Sequence, residues 1–310
     1  MKAMAIAHVV LALVAAPLLP GIINRCKAMF AGRKGQPLHQ FYLDAWKLLQ
    51  KGAVYSRTTT WLVAAGPVVG LAVVMTCLVL TPAGRMPAVF GFDGDLILLA
   101  YLLGLIRFMT VMAALNTGSS FEGMGASREV FYAALAEPAF LTGLAALSCL
   151  EGRFSMSDLS GMASIDAWRT FGPVYLLVLA AWFVVMLAEN SRVPFDDPNT
   201  HLELTMIHEV MVLDHGGPDF AMIQYAASLK LWIYGSLMVG MMFPFPSGSI
   251  VWSALVFVAG MAVLAVLIGV LESVTARLRV VRTPQLLLGA FALSLVALLL
   301  AVSERGAHVG

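Results

Sequence analysis

Charge is what this sequence has least of. Asp, Glu, Lys and Arg make up 12% of its 310 residues, against about 25% in an ordinary soluble domain. They nearly cancel, at a formal net charge of +1, so a nucleic-acid partner has no electrostatic footing. Cysteine is scarce as well. Cys26, Cys77 and Cys149 are odd in number and far apart. No CxxC occurs, which excludes an encoded iron–sulfur or zinc site and leaves them as small apolar side chains in or beside membrane helices. Internal repetition is missing, whereas many transporters carry two related halves, and this weighs against a stand-alone ion transporter. The glycines at 118, 123 and 125 lack the preceding strand and the spacing of a phosphate-binding loop, so a nucleotide site is rejected.

Apolar length is what the chain does have. Hydrophobic residues make up 60% of it and mean hydropathy is +0.87, as in multi-span membrane proteins. Runs near the ~20 residues that a bilayer needs lie at 3–23, 60–81, 95–115, 128–150, 171–188, 218–243, 250–271 and 286–302. The chain is therefore predicted to be all-α, a single membrane domain (1–310) with about eight transmembrane helices. The run at 3–23 resembles a secretory signal peptide, yet it is long enough to span. Arg25, Lys27, Arg33 and Lys34 follow it, as for a retained helix. Within the loop 24–58, Leu38, Phe41, Tyr42, Ala45, Trp46 and Leu49 recur at helical spacing. His39, Gln40, Asp44, Lys47 and Lys51 take other faces, so 38–50 is read as an amphipathic helix on the membrane surface or docked on a partner.

An even number of spans puts both termini on one side. With the loop 24–58 inside, the inside loops hold 12 of the 19 Lys and Arg residues and the outside segments hold 5, while Arg107 and Lys230 lie within spans. The positive-inside rule then turns both termini outward and makes residues 188–217 cytoplasmic. Arg277, Arg279 and Arg282 in the last inside loop read as part of that anchor, or as a docking point for an acidic peripheral subunit.

The acids gather in one place. Residues 188–217 hold Glu189, Asp196, Asp197, Glu203, Glu209 and Asp214, six of the 18 acidic residues, with His201, His208 and His215, three of the six histidines. A bare connection needs only a few residues, so a loop of this length binds or does something. Asp197 before Pro198 has the pattern of an N-cap and first helical residue, and Thr200-x-x-Glu203 that of a capping box. Either way a short helix follows, with Leu202, Met206, Val210 and Leu213 on one face, and Asp197 or Glu203 can be simply its cap. His201 and His208, seven apart, share a face. The HExxH spacing is absent, and no metal site is assigned.

This loop is also where the chain becomes recognisable. Ala188-Glu189, Arg192, Pro194-Phe195-Asp196 and Glu203-Leu204 follow AExxRxPFD…EL, which resembles the signature loop of the complex I subunit 1 family. The run from Asp197 to Glu209, close to NPxTHLELTMIHE, is similar to a narrower branch, the membrane subunits of hydrogenase-4 and formate hydrogenlyase. A second stretch, TGSxFxGMGxSRE at 117–129, resembles the same branch, departing from it at Asn116 and Glu122, where one acid is lost and one gained. Complex I relatives carry an Arg and a Glu nine positions apart in the helix that follows, a spacing kept by Arg128 and Glu137. Quinone-using relatives carry a more acidic loop, and here Asn199 and His201 stand in place of two acids.

The resemblance implies an anchoring and coupling subunit with no catalytic, cofactor or metal site of its own. Its expected partners are the peripheral hydrogenase large and small subunits, iron–sulfur subunits and antiporter-like membrane subunits in a bacterial inner membrane. Nickel–iron and iron–sulfur centres would sit on those partners. A quinone-chamber subunit of a complex I-like dehydrogenase is the alternative. Arg128, Arg192, Asp196, Asp197, His201, Glu203, His208 and Glu209 are then the expected coupling or docking loop.

An acid inside a span is costly, near ~3 kcal/mol at a helix centre, so such groups face a polar interior. Glu137 is one, and Pro138 beside it is expected to kink its helix and free a carbonyl. Arg107 lies nine residues before the end of the third span and Glu137 nine after Arg128, so the two are predicted to share a buried polar site. Glu189 would extend that track and Lys230 would join it deeper. The track reads as an ion path or charge switch, and its plainer rival is a static ion pair.

Overall fold

The computed structural model describes residues 2–84, 86–152, 154–159, 165–196, 206–243, 250–276, 278 and 282–309. Every regular element among them is helical. The first apolar run forms α1 (Lys2–Ala15) and α2 (Leu18–Phe30), which meet at a 43° bend. Pro17 sits at the bend and Pro20 in the first turn of α2, where a missing N–H costs least. The amphipathic segment is α3 (Gln40–Leu49). Then come α4 (Trp61–Leu80), capped by the Thr60 hydroxyl, and α5 (Asp95–Asn116). The long α6 (Ser120–Glu151) leads to a single turn, α7 (Met156–Leu159), and to α8 (Ile165–Glu189). The remaining helices are α9 (Gly217–Met242), α10 (Ile250–Val274) and α11 (Thr283–Val309).

Six helices are long and apolar enough to cross a bilayer, and the bent pair α1–α2 makes a seventh. The expected eighth span, α9, has the length but is too polar for that standard, because Gln224, Ser228 and Lys230 interrupt it. The neighbouring helices compensate. Most of α9 is buried against α4, α8, α10 and α3, so its polar groups meet protein rather than lipid.

Three sequence-based boundaries shift. The loop 24–58 begins as helix, since α2 carries Arg25 and Lys27 up to Phe30. The turn between the third and fourth spans is only 117–119. Gly123 and Gly125 are helical, and α6 starts eight residues before Arg128. Glu122 explains this start, because its carboxylate lies in the first turn and accepts from the Thr117 hydroxyl and, at 3.1 Å, from the Asp214 N–H. The short helix expected after Pro198 lies outside the described residues in its first half. Its second half is a 3-10 turn, Val210–Val212. At Pro138 the helix α6 continues unbroken.

Apolar burial cannot by itself hold such helices together, since lipid is as apolar as leucine. Close packing and polar ties do so instead. α6 packs on α8 and α11, α2 on α10, and α4 between α5 and α9. Trp182, Trp232, Tyr175 and Phe257 are fully buried at the centre. The Trp182 ring lies tilted against Phe140 with ring centroids 5.1 Å apart, and the Trp232 indole N–H donates to His8 Nε2 at 3.3 Å.

Candidate functional site

Arg107 points from α5 into the groove of α6. Its Nε lies 3.4 Å from Glu129 Oε1, and its Nη1 bonds Glu137 Oε1. These two acids are eight residues apart, or about 12 Å along the helix, so their side chains must lean toward each other to meet on the one guanidinium. The remaining nitrogen, Nη2, bonds Glu189 Oε1. Glu189 is the last residue of α8, and α9 meets it there through Lys230. Lys230 Nζ is 2.8 Å from Glu189 Oε2 and donates at 2.8 Å to the Glu189 backbone carbonyl, at the negative end of the α8 dipole.

Three carboxylates thus share two cations, a formal excess of one negative charge. The cluster is buried at one end and open at the other. The Glu189 side chain is 4% exposed, that of Glu137 50%. A cavity of about 80 Å³ borders Arg107, Glu129, Glu189, Lys230, His208 and His215. That volume is roomy enough for a few waters, and Arg107, Glu129, Glu189 and Lys230 line it together with the two loop histidines.

The loop is built around three ties. Asp196, 2% exposed, accepts the N–H groups of Ile207 and His208 at 3.0 and 3.1 Å and so closes the loop on itself. Arg128 donates to the Met206 carbonyl at 3.1 Å. Arg192 lies 3.6 Å from Glu272, which also holds Lys27 at 2.8 Å. Glu272 belongs to α10 and is fully buried, so it is a clasp joining α2, α10 and the loop rather than part of a surface connection. His208 is half-buried, and desolvation lowers its pKa against the pull of nearby carboxylates. His215 is lowered for the same reason. Glu209 precedes the 3-10 turn. Asp197, His201 and Glu203 lie outside the described residues.

Asp219, in the first turn of α9, accepts from the Tyr55 hydroxyl at 2.6 Å, a bond that raises the tyrosine pKa to about 12. This ties the loop 24–58 to α9. Between α2, α3, α9 and the central loop lies a second cavity, of about 310 Å³, bordered by Asn24, Gln36, Asp44, Arg192, Asp196 and Glu209. His208 borders both cavities.

Sequence reasoning does not place Glu129, Glu272 or Lys27 in the site. Glu129 carried a usable signal, being the acid of the Ser-Arg-Glu run eight residues before Glu137 on one helix face. The other two carried none, since only the packing of α2 on α10 brings them together.

The family model described as NADH dehydrogenase matches residues 2–302. The chain belongs to the NADH dehydrogenase family. Within this family it is similar to formate hydrogenlyase subunit 4 of Escherichia coli (strain K12). The two are 28% identical over 288 residues, 91% of this chain and 92% of the relative. It is 30% identical to hydrogenase-4 component C of the same organism over 241 residues, 78% of this chain and 75% of that one. A subunit of the NADH-quinone oxidoreductase of Anaplasma phagocytophilum (strain HZ) is 25% identical over 218 residues, 65% of this chain and 62% of the relative. The fold matches a chain of the membrane-bound sulfane sulfur reductase, an archaeal respiratory membrane complex, with a TM-score of 0.82 at 19% identity over 96% and 98% of the two chains.

The signature residues of this NADH dehydrogenase family member are the ones that tie the site together. Glu189 of the Ala-Glu pair receives both cations, Arg192 meets Glu272, and Asp196 of Pro-Phe-Asp closes the loop. Among the described residues no three His, Cys, Asp or Glu side chains converge as metal ligands. Cys26, Cys77 and Cys149 stand on α2, α4 and α6, a donor set that does not fit an iron–sulfur cluster.

Proposed function

We propose that this chain is the membrane-anchoring and coupling subunit of a membrane-bound hydrogenase of the formate hydrogenlyase type, linking peripheral redox subunits to ion translocation. The two relatives of highest identity named above are subunits of such systems. Redox centres of nickel–iron and iron–sulfur type then belong to the peripheral large, small and iron–sulfur subunits, and antiporter-like subunits adjoin it in the inner membrane. The observation that carries the reading is the charged track itself. It begins at the half-exposed Glu137 in the middle of α6 and ends beside the loop histidines. A redox step that moves the loop would shift charge at His208 and Glu189, and the ion pairs would pass that shift to Glu137 in a medium where charges interact strongly.

Glu137→Gln tests this in the assembled complex. Hydrogenase activity with an artificial donor should persist while ion translocation in proteoliposomes is lost. Normal translocation rejects the coupling role, and failure to assemble favours a structural pair.

A second reading, the quinone-chamber subunit of a complex I-like dehydrogenase, is favoured by the 310 Å³ cavity and by the quinone-oxidoreductase relatives. Inhibition of the complex by quinone analogues, lost when bulk is added at Ala227 in the cavity wall, would select it.

A further inference from the structure

The loop 24–58 concentrates cations. It holds seven of the 19 Lys and Arg residues and one acid, Asp44, in a chain whose net charge is only +1. Lys27 is taken by Glu272. Among the described residues Lys47 and Lys51 have no salt bridge, and both are exposed.

The helix α3 is apolar on two sides, which a helix docked on protein alone does not need. One side faces the bundle. The Tyr42 hydroxyl bonds the Val14 carbonyl, and Phe41 lies 6.5 Å from Tyr225. The other side carries Leu43, Trp46 and Leu49, three residues apart and therefore stacked, at 46%, 64% and 55% exposure.

Depth identifies what covers this second side. The start of α3 is level with the α1–α2 bend, through Tyr42 and Val14. Phe41 meets α9 eight residues in from Gly217. The end of α3 lies beside Gly217 itself, where a Cβ would stand 3.0 Å from the Lys51 carbonyl. The helix therefore climbs through roughly 12 Å of depth alongside the first turns of α9. That band is where acyl chains give way to headgroups, and it is where tryptophan concentrates. Along the climb the deeper exposed side chains are Leu43 and Trp46, and the cations Lys47 and Lys51 sit toward the outer end. An acidic protein partner would match the lysines and leave the apolar stripe unmatched. A phospholipid with an anionic headgroup matches both.

We propose that the outward face of α3 binds anionic phospholipid in the leaflet it borders, with Leu43, Trp46 and Leu49 against acyl chains and Lys47 and Lys51 on the headgroup phosphate. The proposal does not depend on the hydrogenase reading. Two basic side chains near an anionic surface contribute together more than about tenfold in binding, so the effect is large enough to measure.

The full chain is reconstituted in phosphatidylcholine nanodiscs containing phosphatidylglycerol, with bromine on the acyl chains of one lipid or the other. The Trp46 signal is taken as the difference between wild type and Trp46→Phe. Brominated phosphatidylglycerol should quench it at least about twofold more than brominated phosphatidylcholine at equal mole fraction. Lys47→Gln/Lys51→Gln should erase that preference while leaving overall quenching and thermal stability unchanged. Equal quenching by both lipids in the wild type overturns the headgroup claim. Absence of quenching overturns membrane contact. If the assembled complex loses quenching while Lys47 and Lys51 become protected from amine modification, a partner subunit covers the face and the proposal fails.

Discussion

Lys230 holds Glu189 twice, at 2.8 Å from the carboxylate Oε2 and 2.8 Å from the backbone carbonyl. One cation thus neutralises a buried acid and stops the α8 helix end in the same place. Arg107 approaches the other carboxylate oxygen. Glu189→Gln would leave both cations without their shared anion, and breaking a buried pair costs about 3–5 kcal/mol. The single variant should melt far below wild type in detergent, and Glu189→Gln/Lys230→Met should recover part of the loss. A melting point equal to wild type for the single variant would refute the shared-anion account.

The Glu272 clasp should matter far more than a surface pair. Glu272 is fully buried between Lys27 and Arg192, whereas Arg169 and Asp166 face each other at 79% and 95% exposure. Glu272→Gln is expected to destabilise by about 3 kcal/mol and to speed hydrogen exchange at 206–216. Arg169→Ala should stay within about 0.5 kcal/mol of wild type. Similar effects from both would mean the clasp is not organising the loop.

Two glycines of α6 give a matched comparison. A Cβ on Gly125 would stand 2.8 Å from the Ile207 carbonyl, a backbone atom that cannot rotate away, whereas a Cβ on Gly123 meets nothing within 4 Å. Gly125→Ala should push the loop off the helix and cost about 1–3 kcal/mol. Gly123→Ala should be neutral or stabilise by up to about 1 kcal/mol through helix propensity. Thermal unfolding of the two variants checks the order, and a reversed order contradicts the close approach.

Acid should loosen the loop. Burial holds His208 and His215 below the ordinary value of 6.5, so the unfolded state binds more protons below that pH. Their contribution to stability is present above about pH 6.5 and falls as pH drops from there toward the folded values, by at most about 1.4 kcal/mol per pH unit for each. His208→Asn/His215→Asn should flatten the stability profile between about pH 6.5 and 5. An unchanged profile would assign the acid sensitivity to other groups.

Orientation is open to a direct chemical check. The 12-to-5 split of Lys and Arg predicts that the loop 24–58 lies inside. Lys34→Cys, in a background without the three native cysteines, should resist an impermeant thiol reagent in intact cells and react after lysis. Labelling from outside would invert the topology.

Part of this protein is determined by sequence alone, because the bilayer reads hydrophobicity locally. Seven of the eight predicted spans correspond to helices or a bent helix pair that pass on length and composition, and the loop 188–217 begins and ends within a residue or two of where its polarity begins and ends. The meeting of Arg107 and Glu137 was also legible, since a short turn makes their helices neighbours and each charge needs a partner. Other features were decided only by the tertiary structure. Glu189 and Lys230 were expected on the same track, but which atoms they meet was not legible, since Glu189 lies 82 residues from Arg107 and 41 from Lys230, distances at which no periodicity carries information. Lys27 and Glu272 join only because α2 packs on α10. The start of α6 depended on Glu122 finding the Asp214 N–H, and the acceptance of α9 in the bundle depended on neighbours covering its polar groups. In each case the local sequence specifies a group that needs a partner, and the packing of distant helices specifies which partner it finds.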